Sequence, residues 1–103
     1  MAKYFFSNKA IEDISLIWDY TYKKWSENQA DKYYKTLIET CLQISKSPKK
    51  GRYYDMISIE ILGFKVNKHI IFYRLINAEG NEIEILRILH ERMDLKSRIE
   101  ELI

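Results

Sequence analysis

One cysteine, Cys41, and one proline, Pro48, are all that the 103 residues contain of either type. A lone thiol forms no internal disulfide and assembles no cysteine-based metal site, so the expected compartment is a reducing cytoplasm. No apolar run approaches the roughly 20 residues of a membrane helix. The opening MAKYFFSNKA has neither a long apolar core nor a small-residue cleavage site, which again predicts a cytoplasmic protein with no membrane partner. Charge of one sign is also scarce. A net +2 with a pI near 8.6 is compatible with an acidic partner but far short of a nucleic-acid-binding signature, and no sequence-specific nucleic-acid binding by this chain alone is expected. There is no glycine-rich phosphate loop, no G-x-S-x-G elbow and no H-E-x-x-H, and His69 and His90 lack neighbouring ligands at metal spacing. Metal and acyl-transfer chemistry are unsupported, and no metal or cofactor is expected.

What is present describes a folded chain. Hydrophobic residues make up 47% and aromatic residues 14%, which excludes a disordered polymer, and the length suits one domain over residues 1–103. Lys3 to Ser7 reads as a short opening strand. Ile11, Ile14, Ile17, Trp18, Tyr22 and Trp25 then recur at steps of three and four, the apolar stripe of a helix with Ser7 or Asn8 as N-cap and Glu12 and Asp13 near the positive end of its dipole. Ser26 to Gln29 matches the S-x-x-Q capping box and opens a second helix, whose stripe runs through Ala30, Tyr33, Tyr34, Leu37, Ile38, Cys41 and Ile44 until Pro48 stops it, with Gly51 just beyond. So short a junction predicts an antiparallel helical hairpin.

Beyond the loop RYYDMIS the period changes to two. Strands are predicted near Leu62 to Val66, His69 to Ile76 and Glu82 to Leu89, joined by a tight turn at Asn67-Lys68 and a hairpin connection at Ala78 to Asn81. Leu95, Ile99 and Leu102 sit at helical spacing in a short C-terminal helix or tail. Helices in one segment and strands in another give an α+β fold, the hairpin packed on one face of a small antiparallel sheet.

A metal-free ribonuclease needs a base, an acid and cations on the phosphate. Lys49, Lys50, Arg52, Arg74, His90 and Arg92 are the candidates, each with a plainer role. The lysines and Arg52 form a loop cluster of the kind that is ordinarily solvated. Arg74 is on the polar side of its strand if Phe72 faces the core, and a cross-strand partner such as Glu82 or Glu84 would occupy it. His90 sits at a strand end, where a hydrogen-bonded structural histidine is the common case. Tyr33, Tyr34, Tyr53, Tyr54 and Tyr73 are the residue type that stacks on bases, but Tyr33 and Tyr34 straddle a helix stripe and suit a core or boundary role better.

The run SNKAIEDISLIWDYTYKKWSENQADKYYKTLIETCLQISKSPKKG, followed by LGFKVNKHIIFYRL and IEILRILHERMDL, resembles the ParE branch of the RelE/ParE toxin superfamily, with landmarks at Ala30-Asp31, Pro48 to Gly51, His69 to Arg74 and Ile88 to Asp94. The resemblance implies the helical hairpin over a small sheet. It also implies the toxin half of a type II toxin–antitoxin pair, of the kind used in plasmid stabilisation. A ParE-like member would arrest growth by poisoning DNA gyrase, would not be an enzyme, and would be neutralised by a ParD-like antitoxin. A RelE-like member would instead cut mRNA on the ribosome. An inactive binding protein on the same fold is a third alternative. The terminal tyrosine of many ribonuclease members is missing after HERMD, and the low net charge suits poorly a protein docking among ribosomal phosphates. Both departures favour the gyrase alternative. Under it Arg74, His90, Arg92 and Arg98 are target contacts, and Trp18, Tyr22 and Trp25 are antitoxin-binding candidates unless the core buries them.

Overall fold

A computed structural model describes residues 3–54, 60–77 and 82–100. In chain order these form β1 (Lys3–Phe6), α1 (Asn8–Lys24), α2 (Glu27–Lys46), a short 3-10 turn (Pro48–Lys50), β2 (Arg52–Tyr53), β3 (Leu62–Val66), β4 (His69–Leu75), β5 (Glu82–His90) and α3 (Leu95–Glu100). The predicted turn at residues 78–81, part of the loop after Gly51 and Leu102 lie outside the described residues. No helix among those described is long and apolar enough to cross a membrane.

The three-stranded meander is the centre of a five-stranded sheet ordered β1-β5-β4-β3-β2, in which β1 runs parallel to β5 and every other pair is antiparallel. The fold is α+β, as expected. The helix starts also match. Ser7 accepts from the Ala10 amide at 3.0 Å, and Ser26 accepts from the Gln29 amide at 3.1 Å. Pro48 ends α2, and its carbonyl accepts a 2.6 Å hydrogen bond from the Tyr73 hydroxyl, a phenol that burial pushes up to about 12. A Cβ on Gly51 would come within 2.0 Å of that hydroxyl, so only glycine fits where the chain passes under Tyr73.

Both faces of the sheet are covered. Ala10, Ile14, Leu37, Cys41 and Ile44 of the helical hairpin pack against Leu62, Ile71, Tyr73, Ile83, Ile85 and Ile88. On the opposite face Ile61, Ile70, Phe72, Leu86 and Leu89 pack with Ile99 of α3 and, in part, with Tyr54 and Leu95. Strict alternation in β5 is broken by a bulge: Tyr73 lies opposite Ile85 and Phe72 opposite Arg87, leaving Leu86 as the extra residue. Tyr73 therefore faces the helices. Phe72 faces the second core, and Arg74 shares its side at the exposed end of β4, which corrects the expectation that Phe72 and Arg74 lie on opposite faces.

The α1 stripe also needs correction. Ala10, Asp13 and Ile14 are buried, whereas Ile11, Tyr22 and Trp25 are exposed; in α2, Tyr34 is exposed too. The unforeseen member is Asp13. β1 pairs only with Glu82 to Ile85, the first part of β5, and α1 covers the edge that continues beyond. Ser7 donates its hydroxyl to the Leu86 carbonyl at 2.7 Å, and Asp13 accepts from the Ile88 amide at 3.0 Å. Both Asp13 oxygens also accept from Arg87, at 2.7 and 2.8 Å, in a buried bidentate pair, and Arg87 reaches the Arg98 carbonyl of α3 at 3.3 Å.

Breaking this pair from one side leaves a buried charge uncompensated. Asp13→Ala is expected to cost about 3–5 kcal/mol of unfolding free energy in urea titrations, while the double replacement Asp13→Leu with Arg87→Met recovers most of that loss.

Candidate functional site

A concavity with candidate chemistry lies where β4 begins and β5 ends. Their register sets His69 opposite His90, with the rings perpendicular and their centroids 5.4 Å apart. The tight turn at Asn67-Lys68 closes one side, as its sequence predicts, with Asn67 at a φ of 53°, a left-handed conformation that asparagine tolerates. Tyr20, Thr21 and Lys24 from the last turns of α1, Trp25 at the junction, and Gln29, Lys32, Tyr33 and Thr36 from α2 overhang the strand ends. With Arg92 they enclose an open groove of about 690 Å³.

The histidines are held by specific hydrogen bonds. The Tyr33 hydroxyl lies 2.6 Å from Nδ1 of His69 and 3.3 Å from the Val66 carbonyl. Burial raises the Tyr33 pKa, with a hydrogen bond from Asn67 opposing. Burial also pulls His69 below its ordinary value, helped by the neighbouring His90 and opposed by Glu91. At His90 the Nδ1 atom accepts from the Arg92 backbone amide at 3.1 Å. An amide can only donate, so the Nδ1 lone pair is engaged and the ring proton sits on Nε2. The ring can then donate to an anion, but it has no free lone pair with which to deprotonate a ribose hydroxyl while that bond holds.

The other cleavage candidates are elsewhere. Arg74 donates to Glu84 at 2.8 Å, the cross-strand pairing anticipated for it. It lies five residues along β4 from His69, about 17 Å at the usual strand rise. Lys49 and Lys50 sit exposed in the 3-10 turn, and Arg52 lies in the edge strand β2 with its guanidinium over the Tyr54 ring. Arg52 pairs across to Gly63 at the Tyr73 end of β3, far from the histidines. Only His90 and Arg92 of the six share the groove. Arg98, on α3, lines a smaller cavity of about 130 Å³ with Asp13, Arg87, Met93 and His90.

The aromatic candidates of α1 divide between two flanks. Trp18 is half-buried, stacks on Tyr22 with centroids 5.2 Å apart, and donates to Asp31 of α2 at 3.1 Å. Trp18 and Asp31 line an opening with Asp19 and Tyr34. Trp25, 69% exposed, lines the histidine groove instead. The alternative in which the core hides all three fails. Sequence reasoning missed Tyr20, Lys24, Lys32, Lys68 and His69 as site residues. Only the Asn67-Lys68 turn signal placed any of them near a strand end, since the rest converge from two helices and two strands.

Residues 4–95 match the family model described as the ParE toxin of the type II toxin–antitoxin system parDE. Toxin ParE1 of Mycobacterium tuberculosis is 33% identical over 94 residues, covering 91% of this chain and 94% of its own. Toxin ParE1 of Caulobacter vibrioides is 28% identical over 99 residues, covering 96% and 99%. A solved structure of the chromosomal ParDE system from P. aeruginosa superposes with a TM-score of 0.73 at 18% identity, over 87% of this chain and 96% of that one, which supports the fold.

The His69 environment carries a pH signature. The unfolded chain protonates this imidazole near 6.5 while the folded protein resists until a lower pH. Its stability contribution is therefore complete above 6.5 and is lost as pH falls toward the folded value. Urea midpoints should fall between about pH 7 and pH 5, and His69→Gln should flatten that part of the profile.

Proposed function

The chain belongs to the ParE toxin family of type II toxin–antitoxin systems, and from that premise we propose that it arrests growth by poisoning DNA gyrase in the cytoplasm and is held in check by a cognate antitoxin. The observation that carries this reading over RNA cleavage is the separation of the would-be catalytic groups. Arg74 is engaged by Glu84 at one end of β4, and the histidines lie at the other. Between His90 and Arg92 the ring lone pair is already used by a backbone amide. Cations so arranged suit contacts to a partner better than a concerted proton transfer, which needs acid and base within hydrogen-bond reach of one substrate.

The antitoxin would cover the flank of α1 where the half-buried Trp18 stacks on the exposed Tyr22, because there an aromatic pair and Tyr34 leave apolar surface beside the acidic Asp19 and Asp31. Tyr22 makes little of its contact with the core. Tyr22→Ala should therefore leave the unfolding free energy within about 0.5 kcal/mol while weakening antitoxin binding at least about tenfold, as calorimetry would show. Equal antitoxin affinity of the two proteins would remove this flank from the interface.

The target is tested by adding antitoxin-free protein to gyrase, ATP and relaxed plasmid. Loss of supercoiling, with linear DNA released by detergent and protease, is the expected result. Undisturbed supercoiling by a folded sample that still halts growth, with mRNA cut in a translating extract, would overturn the gyrase reading in favour of the ribosome-dependent nuclease.

A further inference from the structure

The histidine groove differs from an ordinary protein-docking cleft in two ways. Its lining includes no leucine, isoleucine, valine, methionine or phenylalanine, and no aspartate or glutamate. An amphipathic peptide, even an acidic one, anchors through aliphatic or aromatic knobs in apolar pockets, and none is offered. What the groove offers is ring faces, hydroxyl and amide groups, and cations. Trp25 is 69% exposed, so its face is open to a planar ligand, while Lys24 holds its ammonium over the Tyr20 ring, 5.4 Å from the centroid, and donates to the Tyr20 hydroxyl at 3.1 Å.

The charge is concentrated there. Lys24, Lys32, Lys68 and Arg92 put four formal positive charges on the lining of a chain whose whole net charge is +2, so the remainder of the molecule is net negative. Glu91, between His90 and Arg92 in the chain, is engaged by Lys65 at 2.9 Å. The His90 ring, with its proton on Nε2, adds a neutral donor.

We propose that this groove binds a short segment of single-stranded nucleic acid without cleaving it, the backbone phosphates meeting Lys24, Lys68, Arg92 and His90 and a base stacking on Trp25. Cations that follow a backbone, interleaved with open aromatic faces, are the recognised chemistry of sequence-tolerant single-strand binding. This goes beyond the gyrase reading, because it gives the protein its own hold on a nucleic-acid strand in the absence of any enzyme.

The test uses the full chain, free of antitoxin, and a fluorescein-labelled oligothymidylate of roughly a dozen nucleotides, a length that one small binding surface covers. Fluorescence anisotropy should report saturable binding that weakens as salt rises from about 50 to 200 mM, with a logarithmic slope of about −2 to −3 for three to four neutralised phosphates. Lys68→Ala with Arg92→Ala should lower that slope by about 1.4. Trp25→Ala should weaken binding by about fivefold to a hundredfold. All three residues are exposed and free of core contacts, and circular dichroism checks that the variants fold. Lys9→Ala with Lys46→Ala, which removes equal charge outside the groove, should leave the affinity within about twofold.

Absence of binding, an equal loss in the Lys9/Lys46 variant, or tighter binding of an oligoglutamate peptide in competition would overturn the proposal. So would cutting of the matching oligoribonucleotide. Gyrase is absent from this assay, so its failure leaves the gyrase reading standing, and a protein that binds the oligonucleotide but spares gyrase loses only that reading.

Discussion

The structure depends on how the long edge of β5 is satisfied. β5 has nine residues and β1 pairs with only its first four, which would leave a row of backbone groups open to solvent or to another chain. The chain meets this by turning into α1 directly after β1. Ser7 caps the helix through the Ala10 amide and at the same time donates to the Leu86 carbonyl. Two turns on, Asp13 accepts from the Ile88 amide in the way a neighbouring strand would, and Arg87 closes around its carboxylate. The carboxylate is buried with good geometry on both oxygens, which is the condition under which attraction offsets desolvation. Because the same Arg87 reaches the α3 backbone, one ion pair joins a helix from each side of the sheet.

The position of the groove follows from a second local irregularity. Before the bulge Ile83 and Ile85 face the helices; after Leu86 is inserted the parity changes, so that Ile88 and His90 face them and Leu89 faces α3. Without that extra residue every side chain beyond it would exchange faces, and His90 would leave the groove. The bulge and the Asp13 contact occupy the same few residues of β5. The strand is bent and pinned to α1 at one place, which sets where the far end of α1, with Tyr20, Lys24 and Trp25, stands over the strand ends.

Local chemistry was legible and convergence was not. The caps at Ser7 and Ser26, the stop at Pro48 and the turn at Asn67-Lys68 each depend on neighbours within four residues, and each was readable as such. The hairpin over a sheet followed from the change of period. On α1, however, the step of three and four fits two adjacent faces. The aromatic one, with Trp18 and Tyr22, carries more apolar area than the face actually buried, which includes Ala10, Ile14 and the carboxylate of Asp13. Asp13 looked like a dipole-compensating acid because nothing nearby announces a partner 74 residues away. The groove has the same character, since its cations are ordinary surface lysines until four elements bring them together.

Helix α1 divides two exposed aromatic surfaces of opposite electrostatic character. Trp18 and Tyr22 lie with Asp19 and Asp31 on one flank, while Tyr20 and Trp25 lie among lysines on the other. Aromatic area alone would attract any apolar partner to either flank. The charges separate them, because a like-charged partner is disfavoured at each side and steered toward the other. A modest net charge of +2 therefore conceals a polarised molecule. A partner with basic groups around its apolar anchors fits the Trp18 flank, and a polyanion fits the histidine groove, so the two could be held at once without competing for the same side chains.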